Sequence, residues 1–335
     1  MSLADDLQHR WYDPSARPAW WTLPVAGLYG AGVRIRRGLY RMRVLRSRRL
    51  PVPVVVVGNI VAGGAGKTPL VIALVEALRE RGWKPGVVSR GYGGSARGPR
   101  LLGTNPDPAL AGDEPALIAL RTGVPVAIGA DRAAAAALLL EQGVDVVVAD
   151  DGLQHYALVR DIEICVIDGQ RRLGNGRLLP AGPLREPPSR LRRVDFTVCN
   201  GGEPGTGEIP MRLVADAAVL LGEPSTRQPL AAFSRGRVHA AAGIGNPRRF
   251  FDTLRGQGID VVEHPFADHR RYAPGDLDFG DGLPVLMTEK DAIKCGGFAR
   301  PDWWGVPVTA ALPESFFDAV TARLGDPASG GAAAR

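Results

Sequence analysis

The chain has 335 residues, 45% hydrophobic and 23% charged, which is enough for two globular domains and excludes disordered and fibrous classes. Its formal charge of +6 is a local property: eight arginines lie between positions 34 and 49, and without them the balance turns negative. Cys165, Cys199 and Cys295 are far apart and form no C-x-x-C pair, which argues against a zinc or dithiol site and points to a reducing cytosol.

Residues 19–33, AWWTLPVAGLYGAGV, are apolar and aromatic. They fall short of the roughly 20 residues a bilayer span needs, and Pro24 and three glycines interrupt them. They also lack the basic start and unbroken apolar core of a secretory signal. Arg34, Arg36, Arg37, Arg41, Arg43, Arg46, Arg48 and Arg49 follow, and no Asp or Glu occurs between Asp13 and Glu76. Three readings fit this segment: an interfacial membrane helix, a core-packed helix with a solvated basic face, or a nucleic-acid patch. No nucleic-acid motif supports the last.

The strand-like run Val52 to Val57 leads into GNIVAGGAGKTP and a helix reaching about Arg81, the context of a nucleotide P-loop. The usual spacing places glycine six residues before the lysine, where this chain has Val61. The pattern is accommodated if the chain bends at Gly63 and Gly64 instead. The nucleotide-binding stretch is then Val61, Ala62, Gly63, Gly64, Ala65, Gly66, Lys67 and Thr68, with Lys67 and the loop amides on phosphate and the Thr68 hydroxyl on Mg2+.

Apolar strands alternating with helices continue to about residue 200, the signature of a parallel sheet covered on both faces. The expected class is α/β, with a P-loop NTPase-like parallel sheet sandwiched by helices. The strand PGVVS ends in SRGYGG, where Ser89 and Arg90 occupy the usual place for substrate contacts. AGDEP opens a helix with Asp113 and Glu114, which serve either the helix dipole or chemistry. VDVVVADDGLQH ends a strand in Asp150 and Asp151, a Walker-B arrangement for Mg2+, followed by Gln154 and His155, which either line the site or pack locally. GNGRLLPAGPLRE, residues 174–186, is a long Gly- and Pro-rich loop of the kind that is usually functional.

Residues 201–210, GGEPGTGEIP, read as a linker, and a smaller α/β domain follows over 211–325. Its GIGNP turn lacks the third glycine of a dinucleotide fingerprint. His269 stands alone among basic residues and reads as a surface histidine. The tail 326–335 reads as disordered.

Taken together, GNIVAGGAGKTP, SRGYGG, GDEP, DDGLQH, GNGRLLPAGPLRE, FADHRRY and TEKDAIK resemble, in order and spacing, the tetraacyldisaccharide 4'-kinase family, the lipid A 4'-kinases. The glycines at 58, 63, 64 and 66 match the loop variant of that family. The resemblance implies a two-domain P-loop kinase using ATP and Mg2+, peripheral on the inner face of the cytoplasmic membrane. It would phosphorylate the 4'-hydroxyl of tetraacyldisaccharide 1-phosphate to give lipid IVA. Carried over residue by residue, it assigns phosphate binding and catalysis to Lys67, the metal to Thr68, Asp150 and Asp151, and the catalytic base to Asp113 assisted by His269. Substrate contacts fall on Ser89, Arg90, Arg132, Gln154, His155, Asn175 and Arg185.

The implied organisation is an interfacial segment over 1–50 packed on a kinase domain over 51–200, then the smaller domain over 211–325, which contributes to the active site. Partners are the lipid substrate and anionic membrane lipids through residues 19–49, with no nucleic acid and no protein partner expected. The rival reading, a partitioning-type membrane ATPase, needs its signature lysine where this chain has Ala62.

Overall fold

In the computed structural model, which describes residues 3–13 and 15–327, nine strands form one sheet. Their spatial order is Thr309–Ala311, Ile209–Val214, Phe196–Asn200, Ile162–Asp168, Val54–Gly58, Val146–Asp150, Pro85–Ser89, Val126–Ile128 and Arg100–Leu101. The inner seven are mutually parallel and the two edges antiparallel. Val54–Gly58 and Val146–Asp150 are buried at every position, so both read as unbroken apolar runs, as strands covered on two faces must.

One face is covered by the helices Lys67–Glu80, Asp113–Thr122 and Glu314–Leu324, which bury Leu70, Leu74, Leu78, Ile118 and Phe316. The other carries Arg132–Leu140, with Ala135, Ala136 and Leu139 against Val147 and Ala149. The register aligns Val57 with Asp150 and Gly58 with Cys165, which sets the P-loop beside the acidic turn at the carboxyl ends of the strands. Open parallel sheets bind ligands at that edge.

A second sheet of six strands runs Arg227–Pro229, Ala217–Leu220, Trp303–Val306, Val285–Thr288, Arg237–Ala242 and Asp260–Pro265. It has its own core around Phe251, Leu254, Leu286 and Trp303. The strands that follow residue 208 divide between the two sheets. Ile209–Val214 extends the first sheet beside Phe196–Asn200, and the chain returns to that sheet through Thr309–Ala311 and Glu314–Leu324. Phe316, Phe317 and Val320 lie in the first core. The Gly/Pro-rich 201–208 stretch is thus a turn between neighbouring strands, and 209–214 is a half-exposed strand next to the edge, held by Met211.

Ahead of the sheet, Leu3–Tyr12 and Thr22–Arg41 are helical. The second lies on the first lobe by one face only and buries just Thr22 and Gly30. Among the described residues no helix is long and apolar enough to cross a membrane. The expected disordered tail falls almost wholly on 328–335, outside the described residues.

Candidate active site

After Gly58 the chain turns with Asn59 Nδ2 donating to the Gly63 carbonyl (3.2 Å) and reaches the helix at Lys67. Gly63 (φ 100°) and Gly66 (φ 89°) take the left-handed backbone such a loop requires. Val61 is no defect here. It bridges Leu184 of the long Gly/Pro loop while the Ala62 amide donates to the Pro183 carbonyl (2.7 Å), so position 61 is a buried cross-link between two loops. At the other side Asn200 Nδ2 donates to the Ala65 carbonyl (3.0 Å). A Cβ on Gly66 would overlap that amide.

Asp150 and Asp151 sit across from this loop in opposite electrostatic states. Asp150 is completely buried; its Oδ2 accepts from Ser89 Oγ (3.2 Å) and its Oδ1 has no partner. Burial, helped by the charges of Glu114 and Asp151, pushes its carboxyl up to about 7. Burial also acts upward on Asp151, but Lys67 Nζ at 3.4 Å and Arg185 Nη1 at 3.1 Å, with Arg132, override it and hold the carboxyl below its ordinary value. Asp151 itself adopts φ 48°, unusual outside glycine.

Asp113 opens its helix directly after Gly112 (φ 90°), and Oδ2 lies 3.0 Å from His269 Nδ1. The two residues come from different lobes and 156 positions apart. Burial favours the neutral acid, yet the His269 contact, Lys294 at 3.8 Å and Lys290 together hold the Asp113 carboxyl below its usual value. His269 is not the free surface histidine its sequence neighbourhood suggested. It sits edge-on to Tyr92 of the SRGYGG turn, with ring centroids 5.4 Å apart.

The other expected substrate residues divide. Arg185 faces the site through Asp151, and Arg90 is exposed at the end of its strand. Gln154 Nε2 donates to the Asn59 carbonyl (2.9 Å) and to Glu186 (3.2 Å), which ties DDGLQH to the P-loop. His155 is half-buried, and burial together with Arg132, Arg160 and Arg36 lowers it to about 4, so it is neutral. Ser89 is committed to Asp150.

Two of these residues have side chains engaged within the protein. Arg132 is buried and donates to the Asp151 (2.9 Å) and Asp150 (3.3 Å) carbonyls, so it braces the acidic turn from behind. Asn175 spends its side chain inside its own loop, on the Ala181 carbonyl and the Arg177 amide.

Sequence reasoning assigned no role to Asn200, Glu186, Tyr92, Lys290 or Lys294. Glu186 is almost wholly buried, receives Gln154 and the Tyr156 hydroxyl, and lies near Arg190 and Arg37. The signal that would have found Asn200 is a polar residue ending an apolar strand. The lysines lie in TEKDAIK.

The Thr22–Arg41 helix leans on this same edge: Tyr29 donates to the Arg185 carbonyl (3.0 Å) and Arg36 to that of Gln154 (3.2 Å). Its outer stripe is apolar. Trp21, Val25, Leu28 and Ile35 share one face by helical spacing and are exposed, Leu28 by 75% and Ile35 by 62%.

The parallel sheet, the glycine loop feeding a helix and the acidic strand end beside it define the class: a P-loop kinase fold. The family model described as tetraacyldisaccharide-1-P 4'-kinase matches residues 18–325. The tetraacyldisaccharide 4'-kinase of Stenotrophomonas maltophilia (strain R551-3) is 54% identical, over 94% of this chain and 95% of its own. That of Azoarcus sp. (strain BH72) is 52% identical, over 90% of each. The crystal structure of the "apo" form of LpxK from Aquifex aeolicus in complex with ATP superposes with a TM-score of 0.76 at 32% identity, covering 90% of this chain and 98% of that one. The chain belongs to the tetraacyldisaccharide-1-P 4'-kinase family.

Proposed function

We propose that the chain transfers the γ-phosphate of ATP to the 4'-hydroxyl of tetraacyldisaccharide 1-phosphate, giving lipid IVA, with Asp113 as the base. Family membership carries the ATP-dependent 4'-phosphorylation of lipid A biosynthesis. The observation that carries the mechanism is the Asp113–His269 contact across the two lobes.

A sugar hydroxyl is a poor nucleophile until its proton has an acceptor, and Asp113 is held ionised for that role. His269 Nδ1 fixes the direction of the carboxylate. Lys67, at the start of its helix, offers positive charge to the phosphates along with the loop amides. Because base and orienting histidine come from different lobes, productive geometry depends on how the lobes close.

The site also suits Mg2+. A buried Asp150 Oδ1 without a hydrogen bond, with Asp151 next to it in the chain, offers hard oxygen donors of the kind that ion takes, and Thr68 follows Lys67 in the loop opposite. When bound, Mg2+ would neutralise charge on the β- and γ-phosphate oxygens. The chain's own part is to hold these donors: Arg132 fixes the carbonyls of both aspartates and Ser89 orients Asp150.

The exposed stripe of Trp21, Val25, Leu28 and Ile35, followed by arginines, supports residues 19–49 as an interfacial anchor on the anionic inner face of the cytoplasmic membrane. A substrate with four acyl chains is reached in the bilayer. The anchor helix touches the loops that carry Gln154 and Arg185, next to the acidic turn.

The test uses the full chain in detergent with Mg·ATP and labelled phosphate. Label appears on tetraacyldisaccharide 1-phosphate, and Lys67→Ala abolishes it. ATP hydrolysis without labelled lipid would sink the assignment.

A further inference from the structure

We propose that Lys290 is a positioning residue for phosphoryl transfer, pinning together the two residues that flank the Asp113–His269 pair. This rests on the reading of that pair as the catalytic base. Lys290 Nζ lies 3.4 Å from Glu114 Oε1 and 3.2 Å from Asp268 Oδ1. Glu114 follows Asp113 and Asp268 precedes His269, so one ammonium from the second lobe holds both sides of the dyad.

The local chemistry gives this pin a task. His269 adopts φ 59°, a left-handed conformation that a residue with a Cβ takes only when its surroundings impose it. Its amide donates to Asp268 Oδ1 (3.0 Å), the same oxygen that meets Lys290. The ammonium therefore fixes the acceptor that fixes the strained turn, and the turn aims the imidazole at Asp113. Lys290 is itself held: it sits in the first turn of Glu289–Cys295, a helix capped by Thr288, whose Oγ1 accepts from the Asp291 amide (3.2 Å).

The general adhesion of the lobes has a different source. Arg121 Nη1 meets both oxygens of Glu289, at 3.0 and 2.8 Å. An exposed ion pair contributes little; here the Lys290 side chain is 15% exposed and Glu114 and Asp268 are 32% and 38% exposed, so the contacts are partly shielded from water. Loss of Lys290 thus acts on the aim of His269 and leaves the lobes joined.

The experiment measures labelled-phosphate transfer by the full chain for Lys290→Met, Lys290→Arg, Asp268→Asn, His269→Ala and the Lys290→Met/His269→Ala double variant, with melting midpoints for each. Lys290→Met should lower kcat about tenfold with KM for ATP unchanged, and Asp268→Asn should do the same from the other side of the contact. Lys290→Arg should keep most of the rate. In the His269→Ala background the second substitution should cost nothing further, because its target is gone. A Lys290→Met rate within twofold of wild type, or a tenfold loss that persists without His269, overturns the pin. A His269→Ala enzyme as fast as wild type overturns the dyad reading beneath it. If Lys290→Met does not fold, Asp268→Asn decides by the same criteria.

Discussion

Replacing Asp150 with asparagine should stabilise the nucleotide- and metal-free protein at neutral pH while removing activity. The carboxyl is fully buried, one oxygen has no partner, and burial with nearby Glu114 and Asp151 raises its pKa from 3.8 to about 7. The folded protein therefore keeps a proton that the unfolded chain releases as pH rises above about 4. Its stability is highest below that value, declines as pH climbs to about 7, and is flat beyond. A gap of roughly three units at about 1.4 kcal/mol each makes the ionised group cost about 4 kcal/mol at pH 8. Asparagine fills the same space and does not titrate. Urea unfolding in EDTA checks this: Asp150→Asn should exceed wild type by up to about 4 kcal/mol at pH 8, with the difference closing toward pH 4, and transfer should be lost throughout. Equal stabilities at pH 8, or a difference independent of pH, would refute the argument that the buried carboxylate lacks compensation.

Two further substitutions separate chemistry from anchoring. Asp113→Asn keeps the shape of the site but cannot accept the hydroxyl proton, so kcat should fall about 10²-fold or more while ATP affinity, read by calorimetry, stays unchanged; an unaltered kcat removes Asp113 from the mechanism. Leu28→Glu/Ile35→Glu puts two charges on the exposed stripe, which should release the protein from anionic vesicles in sedimentation but leave transfer to detergent-dispersed substrate within a few fold; undiminished vesicle binding would refute the anchor.

The central sheet was readable because its strands are buried on both faces and leave uninterrupted apolar runs such as VPVVVV and VDVVVAD. Ile209–Val214 was not, since a strand with one buried side chain following a Gly/Pro stretch carries the signal of a linker. The P-loop was legible from its glycines, whereas the reason for Val61 lies in Leu184, more than 120 positions away. Asp113 by itself looked like a helix-dipole residue and His269 like a surface one. Nothing local joins them, and only the resemblance did so before the lobes were seen together. Arg132, expected at substrate, is buried and donates to the carbonyls of the acidic turn, contacts that its own motif does not announce.

Several unfavourable features gather at the site. Asp150 has an unpartnered oxygen, Arg132 Nε is buried without an acceptor, Asp151 and His269 hold positive φ, and Lys294 Nζ lacks a well-formed hydrogen bond. Backbone strain of this kind costs on the order of 1–3 kcal/mol per residue, and it persists only where surrounding structure over-determines it. Here that structure is the two cores: one fixes the strand ends carrying Asp150 and Asp151, the other the helix that presents Lys290 and Lys294 to Asp113. A site assembled this way takes Asp113, Asp150 and Asp151 from one unit and His269, Lys290 and Lys294 from the other. Substitutions at the lobe contacts should therefore act on kcat through the aim of His269, while those inside the P-loop act on nucleotide affinity.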